Sequence, residues 1–247
     1  VLGLGWGIGA FSGGFLVNSD EYGLGEGPVI FSFMLTAFLG LVAVIGYMSS
    51  TEKKRVFVAD NENFMVYFRR LYRLFMITFI LFMGYMFFLT ISPVYLTEVT
   101  GSSSSMGLIM LGSGIIHAVT APSAGKLVDK YPREMAIRLS SIFVIISMLT
   151  YSFTENVILI VIVFTIPIYM TFFIGARAIV ADTVPYELRA RTMGLLSSFS
   201  LLGGGVGSIS VGEILLHYNE QEAFLLGAFL AFIAFLLSLK DFSHLRN

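Results

Sequence analysis

Long apolar segments are the feature that most constrains the fold of this 247-residue chain. About 20 apolar residues in a helix cross the hydrocarbon core of a bilayer, and eight segments approach or exceed that length. They are residues 2–17, 28–48, 74–95, 105–127, 135–151, 157–179, 192–216 and 223–239. Each should be a helix, because a segment in lipid must satisfy its backbone hydrogen bonds internally. The sequence therefore predicts an all-α membrane protein with eight transmembrane helices.

The composition supports a membrane environment and argues against other classes of protein. Apolar residues make up 56% of the chain and charged residues only 13%, which is more apolar surface than a soluble domain of this size can bury. A net charge of −1 gives no reason to expect nucleic acid as a partner. The chain has no cysteine and no metalloprotease or nucleotide-binding motif. We therefore expect neither an enzyme nor a cofactor or metal site.

The basic residues predict the orientation of the spans. All 15 Lys and Arg residues fall at one side of the predicted spans, whereas the loops at the other side contain Asp and Glu but no Lys or Arg. By the positive-inside rule, the basic side faces the cytoplasm. The sequence thus predicts a multi-pass protein of the cell membrane with both chain ends in the cytoplasm.

A polar segment divides the spans into two groups. Residues 49–73 are predicted to be a cytoplasmic linker between two helices at 1–48 and six helices at 74–247. Small residues of the first span recur in the seventh span at an offset of 198 positions, which indicates an internal repeat. Parallel repeats of six helices are one plan of transporters. On that plan, four further helices are expected before Val1, where the chain begins inside an apolar segment.

A charged segment between the fourth and fifth spans carries a distinctive pattern. It reads Gly125-x-Leu127-x-Asp129-Lys130-x-Pro132-Arg133. Taken alone, it is explained by basic anchors around a turn, with Gly125 allowing a neighbouring backbone to come close and Asp129 placed to accept from an adjacent helix N-terminus. Its spacing also resembles the signature of the major facilitator superfamily, which joins the second and third helices of each six-helix half. Pro132 replaces the Gly of that signature and should stiffen the loop.

The resemblance implies helices five to twelve of a twelve-helix permease with two bundles. It also implies that the loop holds the cytoplasmic side closed, with Asp129 facing the start of the first span. A second segment, residues 181–194, is similar to the family's Asp, Pro, Arg, Gly pattern before the fifth helix of a half. The gating candidates on this resemblance are Gly125, Asp129, Lys130, Arg133, Asp182 and Arg189.

Glycines concentrate in the first and seventh spans. The first span is similar to the glycine motif of the family's antiporters, although Ala10 stands where that motif has Pro. Close helix packing is the simplest explanation of these glycines, and the resemblance offers a hinge or a barrier to proton leak as the alternative. The glycines concerned are Gly5, Gly9, Gly13, Gly14, Gly203 and Gly207.

Polar side chains inside the spans are costly in lipid and are therefore candidate functional residues. His117 lies near the middle of the fourth span, on one helical face with Ser113, Thr120 and Ala124. Histidine titrates near neutral pH and is suited to carry a coupled proton, but a structural histidine bonded to a hydroxyl or carbonyl explains it equally well. The candidates for a substrate or proton pathway are His117, Tyr85, Ser92, Thr120, Thr165, Tyr169 and Arg177.

Packing is an equal alternative for each of these hydroxyl and aromatic side chains. Arg177 also fits the role of a membrane anchor or of an ion-pair partner for Asp182. Pro167 falls at the middle of the sixth span and predicts an interrupted helix there.

These features favour a secondary transporter that works by alternating access. Few charges lie deep in the spans, and aromatic and Met residues are abundant, so the substrate should be a small, neutral or weakly polar organic solute. The glycine motif favours proton-coupled efflux. The alternatives are an uptake symporter for sugars or related solutes and a non-transporting receptor or scaffold on the same fold. The expected partners are the solute, the lipid bilayer and protons, and a monomer is expected for the full-length protein.

Overall fold

The computed structural model describes residues 61–166 and 169–240, together with six helical positions between residues 34 and 45. The first predicted span lies outside the described residues, and so do Gly5, Gly9, Gly13 and Gly14. Pro167 also lies outside them, and for Tyr169 only the backbone is described.

The described part of the chain is helical. Its seven elements are α1 (Asn61–Thr100), α2 (Ser103–Lys130), α3 (Arg133–Phe153), α4 (Val157–Thr165), α5 (Tyr169–Thr183), α6 (Tyr186–Leu215) and α7 (Glu220–Leu239). Five of them, α1, α2, α3, α6 and α7, are long and apolar enough to cross a membrane. Helices α4 and α5 together occupy the predicted sixth span. Each of the six spans predicted after residue 73 is therefore found as helix, and the prediction of an all-α membrane protein is confirmed.

Short polar and proline-containing segments set the ends of the helices. The Asn156 side chain accepts from the amides of Ile158 and Leu159 at the start of α4, and Asn219 forms a capping box with Glu222 at the start of α7. These side chains satisfy backbone amides that have no partner within the helix. Helices α3 and α6 instead begin directly after a proline whose backbone is extended, a position at which proline ends the preceding helix.

Helix α1 begins at Asn61 rather than at the predicted residue 74. The last part of the predicted linker is thus helical. Contacts with α6 explain this: the Arg191 guanidinium lies 3.9 Å from the centre of the Phe64 ring, and Phe199 stacks on Phe75 at 5.3 Å between ring centres. Leu71 is fully buried. A pattern of apolar residues does not contain this tertiary support, so the apolar span corresponds only to the later part of the helix.

Helix α1 is the central element of the packing. It packs against α6 and α7, α3 packs against α7 and α5, and α2 packs against α4 and α5. Glycines allow the closest approaches: a Cβ atom at Gly84 would lie 2.8 Å from the Gly227 carbonyl oxygen, where α1 and α7 meet. Small residues at such crossings bring two backbones into contact, which is how helices commonly associate in a membrane.

Two of the predicted packing glycines lie where α6 crosses α1. A Cβ atom at Gly203 would overlap the Phe79 carbonyl oxygen, and one at Gly207 would overlap the Met83 carbonyl oxygen. Gly205, in the same run of glycines, has no described atom within 4 Å of such a Cβ. The geometry therefore favours the packing interpretation for Gly203 and Gly207.

The sixth predicted span is interrupted as expected. Helix α4 ends at Thr165, and Ile166 has an extended backbone with φ −75° and ψ 120°. The chain becomes helical again at Tyr169. An extended conformation is the one that a residue preceding a proline favours.

Candidate functional site

The signature segment lies mostly within a helix. Helix α2 continues through Lys130, so that only Tyr131 and Pro132 separate it from α3. The predicted loop from Gly125 to Arg133 is therefore wrong in extent. Pro132 has φ −52° and ψ 134°, which the proline ring permits, and the backbone at this position does not need glycine.

Gly125 has no close neighbour among the residues that the structure describes. A Cβ atom built there would meet no atom within 4 Å among the described residues. The start of the first span, which Asp129 is expected to face, lies outside those residues. In the described part, Lys130 lies beside the Tyr131 ring, with its ammonium 5.7 Å from the ring centre.

Arg133 joins the two motifs into one cluster. Its Nη1 donates to Asp129 Oδ1 at 2.8 Å and its Nε donates to Asp182 Oδ2 at 3.4 Å. Nη1 also donates to the Val128 carbonyl oxygen at 2.5 Å. We call Asp129, Arg133 and Asp182 the ion-pair cluster. One guanidinium thus connects the end of α2, the start of α3 and the end of α5.

The turn before α6 has the same arrangement, in which an arginine after the proline donates to a backbone carbonyl before it. Arg189 Nε donates to the Val184 carbonyl oxygen at 2.9 Å, just as Arg133 donates to a carbonyl five residues earlier. In both turns an aspartate stands three residues before the proline. Arg189 therefore bonds a backbone carbonyl group at the end of α5, whereas Arg133 forms the ion pair with Asp182.

Gly175 is a residue of this site that sequence reasoning missed. A Cβ atom there would lie 2.7 Å from the Ala136 Cβ and 3.1 Å from the Arg133 carbonyl oxygen. Helix α5 can therefore approach α3 closely, two turns before Asp182. The signal in the sequence was a glycine inside an apolar span, which often marks a close helix contact.

Arg177 is not placed beside Asp182. Its guanidinium lies 6.0 Å from the Phe173 ring centre, and Arg133 is the ion-pair partner of Asp182 within the described part. Five residues along an α-helix amount to about 140° of net rotation, so Arg177 and Asp182 face different sides of α5.

A second site surrounds His117 in the interior of the bundle. His117 and Ser113 are buried, with 2% and 0% of their surface exposed. His117 Nε2 lies 3.3 Å from Ser113 Oγ, and Ser113 Oγ donates to the Phe164 carbonyl oxygen at 3.4 Å. Ser113 and His117 therefore form a buried hydrogen-bonded pair, in which the donor depends on the imidazole tautomer.

The His117 cavity is a narrow space of about 400 Å³ between α1, α2, α3 and α4. Its width suits water-sized molecules. The walls combine aromatic rings with a few hydroxyl groups and the imidazole. Among the residues that line it are Tyr85, Phe88, Ser113, His117, Ser147 and Phe164.

A neighbouring cavity of about 230 Å³ shares Tyr85 and Val144 with the first. It lies between α1, α3 and α5, and Ser140 is on its wall. The Ser140 and Thr171 hydroxyl oxygens are 2.6 Å apart. Sequence reasoning missed Ser140 and Ser147, although their spacing of seven residues puts both on one face of α3.

Three of the other predicted pathway hydroxyls bond to their own helices. Ser92 donates to the Phe88 carbonyl oxygen at 2.5 Å, Thr120 to that of Ile116 at 2.6 Å, and Thr165 to that of Ile162 at 2.9 Å. Neither Thr120 nor Thr165 is on the wall of the His117 cavity. Of the residues predicted to share one face of α2, Ser113 and His117 are bonded to each other and line the cavity. Thr120 does not line it.

Comparisons with known proteins identify the family. The model of the Major Facilitator Superfamily matches residues 1–175 and 74–242. Multidrug resistance protein MdtG of Salmonella choleraesuis (strain SC-B67) is 27% identical over 152 residues, which are 59% of this chain and 38% of that protein. Multidrug resistance protein 1 of Bacillus subtilis (strain 168) is 24% identical over 163 residues, 65% of this chain and 42% of that protein.

The chain thus spans about two fifths of the length of these relatives. The matches to the family model cover nearly all of the chain, and its helices are those of a multi-pass membrane protein. The family is one of transporters, in agreement with the prediction that the chain is not an enzyme. The chain belongs to the Major Facilitator Superfamily.

Proposed function

We propose that this chain is part of a secondary transporter that exports a small, neutral or weakly polar organic solute in exchange for protons. Membership of a transporter family supports the general function, and the names of the two relatives refer to multidrug resistance. In this proposal the protein is a monomer of the cell membrane, with both chain ends in the cytoplasm. Residues 1–48 belong to one bundle and residues 74–247 to the other.

One observation carries the proposal of proton coupling. No Asp, Glu, Lys or Arg lies in the middle of any predicted span, so His117 is the deep side chain best suited to exchange a proton near neutral pH. It is buried, bonded to Ser113, and next to a cavity of water-sized width. Ionisable residues at this depth are costly and commonly mark ion pathways. The aromatic walls beside it suit an apolar part of a solute better than a charged one.

The ion-pair cluster supplies the gating element of the proposal. Arg133 holds Asp129 and Asp182 at the cytoplasmic ends of α2 and α5. Partly exposed ion pairs contribute about 0.2–1 kcal/mol each, which is enough to change the ratio of two conformations by a factor of about 1.4 to 5 per pair. In this mechanism the cluster positions Asp129 for contact with the opposite bundle when the cytoplasmic side is closed.

Transport by the full-length protein in proteoliposomes tests the proposal. A panel of neutral aromatic solutes is followed with and without an imposed proton gradient. We expect His117→Ala to abolish gradient-driven transport and to retain exchange of solute for solute. His217→Ala is the matched control, because His217 is exposed near the outer end of α6 and should leave the coupling intact.

Each other outcome replaces part of the proposal. Unchanged coupling in His117→Ala would remove His117 from the proton pathway. Solute movement in the same direction as protons would favour the uptake symporter. Transport that ignores the gradient would indicate a uniporter, and no transport of any solute would favour a receptor or scaffold.

A further inference from the structure

Two arginines from different helices meet at the C-terminal end of α7. Arg138 of α3 donates from Nε to the Ser238 carbonyl oxygen at 3.2 Å and from Nη2 to the Leu239 carbonyl oxygen at 3.3 Å. Arg73 of α1 donates from Nη2 to the Lys240 carbonyl oxygen. These bonds bring both guanidinium groups to three consecutive carbonyl groups, those of residues 238 to 240, at the end of one helix, and Lys240 itself is exposed.

We propose that this end of α7 binds an anionic phospholipid, with the lipid phosphate held by Arg73, Arg138 and Lys240. We call these three residues the α7 cation cluster. Guanidinium groups match phosphate oxygens through pairs of parallel N–H donors. Basic pockets between transmembrane helices at the cytoplasmic side are suited to anionic head groups.

The charge balance of the cluster favours an anion. The end of α7 contributes about half a negative charge through its unpaired carbonyl groups, and Glu134, one turn from Arg138, is a buried carboxylate. Arg69, one turn before Arg73, is exposed and adds a cation. Among the described residues, four cations against one carboxylate and the helix end leave a net charge of about +2.5.

Exposed apolar side chains lie about one turn nearer the middle of the span than each cation. Ile142 follows Arg138 on α3, Met76 follows Arg73 on α1, and Leu236 precedes Lys240 on α7. These three side chains are 38%, 41% and 48% exposed. Cations at the level of the head groups with exposed apolar side chains beneath them match the two parts of a phospholipid. A water-soluble anion would gain nothing from the apolar part.

Lipid binding to the purified full-length protein in detergent tests the proposal. Fluorescent phosphatidylglycerol is titrated, with phosphatidylcholine as the zwitterionic lipid and glycerol 3-phosphate as the head group without chains. In Arg138→Gln/Lys240→Gln the glutamine keeps an N–H donor for the Ser238 carbonyl group while two charges are lost. At roughly fivefold in affinity per cation near the surface, we expect phosphatidylglycerol binding to weaken roughly 30-fold.

Two further variants control for general charge and for folding. Lys126→Gln/Lys130→Gln removes two exposed cations from the end of α2 and should leave the affinity for phosphatidylglycerol unchanged. Arg69→Gln/Lys240→Gln alters only exposed side chains, so it should fold, and it should bind the lipid several-fold more weakly. This measurement involves no transported solute or proton gradient, so its outcome is independent of the proposed transport function.

Three results would overturn the lipid site. They are equal affinity for phosphatidylglycerol and phosphatidylcholine, an equal loss of affinity in the α2 control variant, and binding of glycerol 3-phosphate as tight as that of the lipid. Either of the first two results would mean that these cations act only as general anchors under the positive-inside rule. The third would make it a site for a soluble phosphate.

Discussion

The contact between α1 and α6 gives a quantitative test of the packing. A Cβ atom at Gly207 would lie 2.9 Å from the Met86 Cβ and 3.0 Å from the Met83 Cα. Carbon atoms are in contact at about 3.5–4.0 Å, so the methyl group of Gly207→Ala needs the helices to separate by roughly 0.5–1 Å. Backbone atoms of α1 cannot rotate out of the way as the tip of a side chain could.

We expect Gly207→Ala and Gly203→Ala each to lower the free energy of unfolding. Overpacking of a well-packed contact costs about 1–3 kcal/mol. For a chain of this size, 1 kcal/mol corresponds to a shift in Tm of about 2–4 °C, so each variant should melt roughly 2–12 °C lower. The assay is thermal unfolding of the purified protein in one detergent, followed by the loss of monodisperse protein.

The same run of glycines provides the control. A Cβ atom at Gly205 or Gly212 would have no described neighbour within 4 Å. Alanine is a better helix former than glycine by about 1 kcal/mol, so Gly205→Ala should melt at the same temperature as the parent or higher. If Gly205→Ala lowered Tm as much as Gly207→Ala, the packing argument would be refuted. The helix would then be equally sensitive to alanine at both positions, whether or not α1 is in contact.

Two further predictions concern the ion pairs of Arg133 and the orientation of the chain. Arg133→Gln removes the ion pairs with Asp129 and Asp182 and should lower the free energy of unfolding by about 0.4–2 kcal/mol. The loss should shrink as salt rises, and a loss that does not depend on salt would contradict the ion-pair explanation. In intact cells, cysteines at Ser103 and Asn219 should be labelled by a membrane-impermeant reagent and one at Asn61 should not; labelling at Asn61 would reverse the proposed orientation.

The sequence was sufficient for the spans and for the breaks between them. Apolar length located six helices in the described part, and Pro167 indicated the interruption between α4 and α5. These features depend on properties of single segments in lipid, where an isolated apolar stretch has few alternatives to a helix. Local pattern therefore predicted them well.

Side-chain partners could not be predicted in the same way. The internal repeat between the first and seventh spans identified the glycines of α6 as a group. Only the position at which α1 crosses α6 shows that Gly203 and Gly207 are contact residues, whereas Gly205 has no described neighbour. Asp182 pairs with Arg133, which is 49 residues away in the sequence, rather than with the nearby Arg177. Such contacts depend on the rotation of one helix against another, and neither the spacing nor the composition of a single span contains that information.

The basic residues have a structural role beyond setting orientation. Helices α2, α5 and α7 all end on the side that carries the Lys and Arg residues, and each ends in backbone carbonyl groups without partners in the helix. Arginine donates to carbonyl groups at all three ends. Unsatisfied carbonyl groups are costly next to lipid, and cations are favoured at helix C-termini. The charge bias that predicts the topology thus also supplies the caps, which explains why arginine, with several directed donors, occupies these positions.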